Sequence, residues 1–406
     1  MTFNVDSVRK DFPILSHCYG KNPMVYFDNA ASAHKPQAVI DSMVHTYSSE
    51  YANVHRGSYS MARKVTDAYE DARSKVCSFI NASSREEVVF TRSSTESINL
   101  VAYGWGSKYI SEGDEIVLSV MEHHSNIVPW HFLRQRYAAK LVWVPIDEQC
   151  SLQIDEFKKC LTDRTKLVAI THMSNVLGTI VPIKDICRIA HERGIPVLVD
   201  GSQGAVHTSV DMQDLDCDWY AMTGHKLYGP SGIGVLYSKK SHLENMQPFM
   251  GGGEMISEVT QDTVSYADLP YRFEPGTPPI AQAIAFGVAL DYTKSLGQDS
   301  IFFYEKELAL YARARLKEID GLRLFNDAVE DSTIMSFQLK NIHSYDLSVF
   351  LDNVGIAIRS GMHCANPLLQ FLGVKYLSRA SLAMYNTKKE VDIFIEALKR
   401  AQKFFS

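Results

Sequence analysis

The chain has 406 residues and a formal net charge of -6, with 46% hydrophobic and 22% charged residues. That length exceeds what one hydrophobic core serves, so two domains are expected, and the ordinary composition excludes both a disordered and a membrane-embedded chain. The mild acidity provides no field for holding nucleic acid or anionic lipid, and neither is expected as a partner.

The opening MTFNVDSVRKDFPIL lacks the apolar core and small-residue cleavage site of a secretory signal, and no run reaches the roughly 18 apolar residues a spanning helix needs. A cytoplasmic protein is expected. Next, ARKVTDAYEDARSKVCSFIN sets Val65, Tyr69, Ala72, Val76 and Ile80 at helical spacing, a one-faced packing helix. From about Val88 to Tyr237 short β-rich runs alternate with helical patterns. The candidate strands are EVVF at 87–90, EIVLSV at 115–120, LVWV at 141–144, LVAI at 167–170, PVLVD at 196–200, DWYAM at 218–222 and IGVLY at 233–237. Several are apolar on both faces, and patterns such as IKDICRIAHERG separate some of them. A mostly parallel sheet covered by helices follows, an α/β fold.

Residues 241–280 break this rhythm with GGGE at 251–254 and PGTPP at 275–279, a long irregular stretch of the kind that usually serves function. Beyond it, two helical patterns precede short strands (LRLF, TIMSFQL, IAIRS, ASLAMY) and a final helix around 388–403. The expected division is a large α/β unit over residues 21–285 and a small α+β unit made of residues 1–20 and 286–406. The seven cysteines are scattered and never arranged as CxxC, so free thiols are expected, with neither a disulfide framework nor a metal site.

Two strand ends carry the chemistry. VLVDGSQGAVHTS ends an apolar strand at Asp200, and AMTGHKLYGPSGIG follows another with Lys226. Ligands of open α/β sheets bind beyond the carboxyl ends of strands, so this acid and this amine can converge on one molecule. A lysine alone in a loop would be solvated, and an aspartate alone could cap a helix or a turn. Together, among Gly224, Gly229, Gly232 and Gly234, they match what pyridoxal 5'-phosphate requires: an amine to bind the aldehyde and a carboxylate to keep the pyridine nitrogen protonated.

Three further features fit. EVVF leads through TRSSTES into INLVAYGW, which puts Ser94 and Thr95 near a helix N-terminus, a place for a phosphate or for an ordinary cap. EIVLSV runs into MEHHSN, so His123 or His124 could lie over a ring. Gln203 could reach the ring hydroxyl.

These residues belong to longer motifs: YFDNAASAHKPQAV, ANVHRGSYS, THMSNVLGTI, VDGSQGAVH, TGHKLYGPSGIGVLY, GGGEMI, RFEPGT, RSGMHCANP and SRASLAMYNT. Through them nearly the whole chain resembles the class V aminotransferase group of fold-type I pyridoxal-phosphate enzymes, and within it the SufS-type (group II) cysteine desulfurases and the similar selenocysteine lyases. The resemblance implies that Lys226 carries the cofactor, Asp200 pairs with the pyridine nitrogen, Gln203 meets the ring hydroxyl and His123 stacks on the ring. It assigns Ser94, Thr95, Thr223 and His225 to the phosphate, with Thr277 supplied by the other subunit of a homodimer. Asn175 and Arg379 fall at substrate-carboxylate positions, and Arg359 is grouped with them. Thr223 stands where the family usually has serine, which keeps the hydroxyl.

Cys364 is the distinctive residue. It sits in IAIRSGMHCANPLL flanked by Arg359 and His363, and neighbouring cations favour a thiolate. The resemblance implies that it accepts sulfur from L-cysteine as a persulfide, releasing alanine, and passes the sulfur to an acceptor protein of the SufE or SufU kind for iron–sulfur cluster assembly. The alternatives are a selenocysteine lyase or another class V reaction such as transamination or kynurenine cleavage. One departure stands out: Met362 occupies a position that is commonly histidine, and a thioether carries no proton.

Overall fold

The apolar runs between Val88 and Tyr237 assemble into one seven-stranded sheet. The computed structural model describes residues 3–19, 22–329 and 332–405. Its large sheet comprises β1 (Val88–Thr91), β2 (Glu115–Ser119), β3 (Lys140–Val144), β4 (Thr165–Thr171), β5 (Val197–Asp200), β6 (Trp219–Thr223) and β7 (Gly234–Ser238). The order is β1-β7-β6-β5-β4-β2-β3; β7 runs antiparallel to both neighbours and every other pair is parallel.

Burial on both faces explains why these strands read as continuous apolar runs rather than alternating ones. Val197 and Val199 enter one core cluster and Leu198 the other; along β6, Tyr220 and Met222 face the first and Trp219 and Ala221 the second. Helices α1 (Gln37–Ser49) and α2 (Ser60–Phe79) pack along α4 (Ile280–Leu296) in the first layer, while α3 (Ser94–Val101) belongs to the second. Val65, Tyr69, Ala72 and Val76 form the buried face of α2, as their spacing predicts.

The C-terminal part builds a second sheet. Its strands are β8 (Leu322–Leu324), β9 (Ile334–Leu339), β10 (Arg359–Gly361) and β11 (Leu377–Ser381), in the antiparallel order β8-β9-β11-β10. Helices α5 (Gln298–Lys317), α6 (Ser344–Asp352) and α7 (Lys388–Phe405) bury Leu308, Leu316, Leu347, Phe394 and Leu398 against it.

One expectation changes, and two observations bear on the expected division. The stretch 241–280 is not wholly irregular: Ile256–Val259 and Val264–Tyr266 pair as an exposed antiparallel hairpin. The short segment Val25–Tyr26 pairs in parallel with Ile356–Ala357, and Val25 and Phe27 pack in the C-terminal core cluster. The expected limit at residue 285 falls inside α4, and the one at residues 20 and 21 lies outside the described residues.

Candidate active site

The carboxyl ends of β4, β5 and β6 and the loops that follow them open onto a cavity of about 230 Å³. This is the crevice in which open α/β sheets bind ligands. The fold brings Asp200, Lys226, His123, Gln203, Ser94, Thr95, His225, Asn175, Arg359, Cys364 and Arg379 together in its lining.

Asp200 is the last residue of β5. Its Oδ1 accepts from the backbone N–H of Ser202 at 3.0 Å and from the Ser202 hydroxyl at 2.6 Å, which fixes the carboxylate and leaves Oδ2 at the cavity. Lys226 comes three residues after β6 ends at Thr223. Burial lowers its pKa to about 8, against the opposing pull of the Asp200 charge. At that pKa the neutral amine, the form that attacks an aldehyde, is a minor fraction near neutrality but far larger than for an ordinary lysine.

His123 accepts the Ser125 backbone N–H on Nδ1 at 3.1 Å, so its proton sits on Nε2. Burial and then the neighbouring Lys226 hold it down to about 4, and the ring is neutral. Gln203 donates its Nε2 to the Ala30 carbonyl at 2.7 Å. Beneath these groups lies Glu122, buried, whose Oε1 accepts from Thr171 N at 3.0 Å and Ser119 Oγ at 2.5 Å while Oε2 accepts from Asn126 Nδ2 at 2.7 Å. Thr171 is the register partner of Asp200, so Glu122 braces the floor under both Asp200 and His123. Burial pushes this carboxyl up to about 8. Reading MEHHSN for its histidines passes over that acid.

Ser93 caps α3, its hydroxyl accepting the Glu96 N–H at 3.4 Å. Ser94 and Thr95 thereby stand at the helix N-terminus, where N–H groups and the dipole favour an anion. The approach depends on Gly234, since a Cβ there would lie 2.5 Å from the Ser93 carbonyl carbon. Thr223 is buried and its Oγ1 has no partner among the described residues. Burial, then Lys226 and Lys35, lowers His225 to about 4. Thr277 is exposed and does not line this cavity.

Arg379 is buried at 3% exposure. Its Nη1 donates to the Asn175 carbonyl at 2.8 Å and its Nη2 to Asp28 Oδ1 at 3.2 Å, while Nε is without a partner among the described residues. Asn175 donates Nδ2 to the His363 carbonyl at 2.8 Å and keeps Oδ1 unpaired. The free guanidinium N–H can donate to an anion and the Asn175 Oδ1 beside it can accept from an N–H group. Cys364 is exposed and lines the same cavity as Lys226 and Arg379.

His363 and Cys364 both adopt left-handed backbone, with φ of 53° at each. Two such non-glycine residues in succession are costly, and the loop is held by the neighbouring bonds to the Met362, His363 and Cys364 carbonyls. His363 also overturns an expectation. It was to serve as a cation beside the thiol, but burial and then Arg379 hold it down to about 3, and its Nε2 donates to the Leu377 carbonyl at 3.0 Å. The ring is neutral, and positive charge beside Cys364 comes from the arginines.

The sequence model of the aminotransferase class-V family matches residues 25–394. The chain belongs to that family. It is 48% identical over 405 residues to a cysteine desulfurase of Salmonella agona, with 99% of each chain covered. It is 47% identical over 403 residues to a probable cysteine desulfurase of Synechocystis sp., covering 98% of this chain and 96% of that one. Among solved structures, the cysteine desulfurase CsdA of Escherichia coli, in an S-sulfonic acid form, superposes over 100% of both chains with a TM-score of 0.93 at 40% identity.

The class-V cofactor fits this donor set. Lys226 offers an amine and Asp200 a free carboxylate oxygen. The Ser94 and Thr95 N-terminus of α3 lines the same cavity, whereas Thr223, whose hydroxyl is buried without a partner among the described residues, does not line it. An orphaned buried hydroxyl costs stability and is expected where a ligand satisfies it. Asp28 is the other residue the sequence reading passed over; it sits in YFDNAAS, but only the folded chain shows that it meets two arginines.

Proposed function

We infer that the chain is a pyridoxal 5'-phosphate-dependent cysteine desulfurase that converts L-cysteine to L-alanine and takes the sulfur onto Cys364. The observation that carries this reading is an exposed thiol in the lining of the same cavity that presents Lys226 and Asp200. Transamination and kynurenine cleavage need no such nucleophile.

Lys226, Asp200, Gln203 and His123 would hold the cofactor's ring, and Ser94, Thr95, Thr223 and His225 its phosphate. Bound there, the cofactor supplies an electron sink for negative charge developing at the substrate's α-carbon. Arg379, through its free Nε, and Asn175, through Oδ1, orient the substrate, Arg379 by a charge-assisted bond to the carboxylate. The neutral Lys226 amine takes the α-proton and returns a proton to the product. Asp200 stabilises positive charge at the ring nitrogen. Cys364, as thiolate, attacks the substrate sulfur. The new S–S bond forms as the carbon–sulfur bond breaks, its electrons stay with the carbon fragment that becomes alanine, and Cys364 keeps the sulfur as a persulfide.

The same reading includes a homodimer in which Thr277 serves the partner's cofactor; its exposure away from its own cavity supports this, as do the exposed apolar Val44 and Tyr47 of α1. It also includes a sulfur acceptor of the SufE or SufU kind and a cytoplasmic setting; among the described residues no helix is long and apolar enough to cross a membrane. The domain division belongs to it too, supported by the separate core cluster around β9, α5 and α7.

The deciding experiment is incubation of the holoenzyme with L-cysteine and a thiol reductant, followed by alanine assay and mass spectrometry. One added sulfur on Cys364 is expected, with alanine formation abolished in Cys364→Ala. Sulfur mapped to another cysteine refutes the site. Cys364→Ala that still releases selenium from selenocysteine points to the lyase reaction on the same scaffold.

A further inference from the structure

A second cavity, of about 430 Å³, borders the small sheet where the turn after β9, the first turn of α6 and the start of β11 meet. Ser378 of β11 lines it, while the next residue, Arg379, lines the cavity that holds Lys226 and Cys364. Successive side chains of a strand point to opposite faces, and the register partners agree. Phe337, opposite Ser378, packs in the C-terminal core cluster; Ser336, opposite Arg379, donates Oγ to the Val176 carbonyl at 2.6 Å. The second cavity therefore lies on the face of β11 turned away from the candidate active site.

Its charges are of one sign. Lys340 follows β9 and Lys375 precedes β11; both are exposed, neither makes an ion pair among the described residues, and no aspartate or glutamate lines the cavity. Ser344 brings in the first turn of α6, whose leading N–H groups have no intrahelical acceptor and, with the helix dipole, favour an anion. Asp346, in the same turn, is exposed and outside the lining. His343 caps the helix: its Nδ1 accepts the Tyr345 N–H at 3.3 Å, which leaves the Nε2–H as a donor. The surrounding frame is fixed by its own bonds, Gln338 Nε2 to the Tyr376 carbonyl at 3.0 Å and Ile342 N to the Leu339 carbonyl at 3.1 Å. Ser378 takes no part in them. Its side chain is 1% exposed, and its Oγ has no partner among the described residues. Burying an unpaired hydroxyl costs stability, and one kept among cations and helix N–H groups is expected where a ligand accepts from it.

We propose that this cavity binds a phosphate-bearing small molecule, the phosphate accepting from Ser378 Oγ, the first turn of α6 and the ammonium groups of Lys340 and Lys375. The donor set selects the ligand class. A phosphate monoester brings three acceptor oxygens and about two negative charges, which match two lysines and a row of donors; a carboxylate brings two oxygens and one charge. Leu339, Ile342 and Tyr376 give the remainder of the molecule apolar walls, with the Tyr376 ring set edge-on to His343 at 5.3 Å. The site is independent of the sulfur chemistry and stands whether or not Cys364 takes a persulfide.

The test titrates the holoenzyme, freed of excess cofactor, with inorganic phosphate in a calorimeter at constant ionic strength. One saturable site per chain is expected, with acetate at least about tenfold weaker. Lys340→Gln and Lys375→Gln should each weaken phosphate binding about fivefold, and the double variant should abolish it. Both lysines are exposed, so these variants keep the fold. Ser378→Ala should also weaken phosphate binding about fivefold. In phosphate-free buffer the same variant should melt no lower than the unaltered protein, because the deleted hydroxyl has no partner to lose. The absence of a saturable site overturns the proposal, as does acetate that binds as tightly as phosphate. A double lysine variant that binds phosphate like the unaltered protein overturns it too, and places the anion at Arg359 and Arg379. Ser378→Ala that melts lower while its phosphate affinity stays intact assigns the residue to packing and equally overturns the site.

Discussion

The backbone N–H of His124 donates to the carbonyl of Cys364 at 2.8 Å, tying the loop after β2 to the loop that carries the thiol. The His124 ring completes the tie, its Nε2 accepting the Asn366 N–H at 3.2 Å. Because His363 and Cys364 sit in left-handed backbone, that loop keeps its shape only while such bonds hold. His124→Ala removes one bond, worth about 1 kcal/mol, so alanine formation is expected to fall about fivefold. The visible spectrum of the bound cofactor should not change, since His123 and Lys226 remain. Steady-state kinetics beside an absorbance scan checks both halves; a lost spectrum with normal turnover per bound cofactor contradicts the role.

The large sheet was legible because most of its strands are buried on both faces, which writes a continuous apolar run such as PVLVD. The hairpin of Ile256–Val259 and Val264–Tyr266 was not, because its side chains are mostly exposed and nothing selects an apolar pattern there. The candidate site divides the same way. Lys226 and Asp200 announce themselves by type and by position after a strand. Glu122 and Asp28 act through partners distant in sequence, Thr171 for one and both arginines for the other, so no local pattern reveals them. The neutrality of His363 depends on burial, which its neighbours in RSGMHCANP do not encode.

Lys226 carries a pH prediction. Its pKa falls from 10.5 in the unfolded chain to about 8 in the folded one, with burial the leading cause. A depressed lysine pKa means that the fold favours the neutral amine; its contribution to stability is complete above the unfolded value and is lost as pH falls through the folded one. The cofactor-free protein should therefore capture pyridoxal 5'-phosphate at a rate that rises with pH and is half-maximal near pH 8, followed by visible absorbance after stopped-flow mixing. A midpoint near 10.5 would mean that the amine is not desolvated.

Removing the Arg379 guanidinium tests the substrate end. On the proposed reading Arg379→Ala loses a charge-assisted bond to the substrate carboxylate, worth roughly 1.5–3 kcal/mol, so kcat/KM for L-cysteine should drop about 100-fold, most of it in KM. Arg379→Lys restores only part, because an ammonium cannot span Asn175 and Asp28 as the guanidinium does. Equal losses in both variants would place the residue's importance in geometry rather than charge.

Met362 replaces a common histidine, and its side chain is 45% exposed and does not line the cavity. The groups beside the thiol are Arg359 and the neutral His363, neither of which depends on Met362 for a hydrogen bond. Met362→His should change kcat by less than about twofold, within the range of an exposed substitution. A sharpened pH–rate profile with a new limb near the ordinary histidine range would instead show that residue 362 reaches the reacting thiol.

Thr223 gives the last prediction, since its two expected effects have opposite signs. Its hydroxyl is buried without a partner, so the cofactor-free protein bears the desolvation cost of an orphaned polar group, roughly 1–3 kcal/mol. Thr223→Val removes the hydroxyl at nearly constant volume. The cofactor-free variant should melt at a temperature equal to or above that of the unaltered protein. On the proposed reading the same change deletes a donor to the cofactor's phosphate, so affinity for pyridoxal 5'-phosphate should weaken about tenfold while Thr223→Ser retains it. Thermal unfolding and fluorescence titration of the same preparations read both quantities. Weaker cofactor binding accompanied by an equal loss of stability in the cofactor-free protein would assign Thr223 to packing at the end of β6 and not to the phosphate.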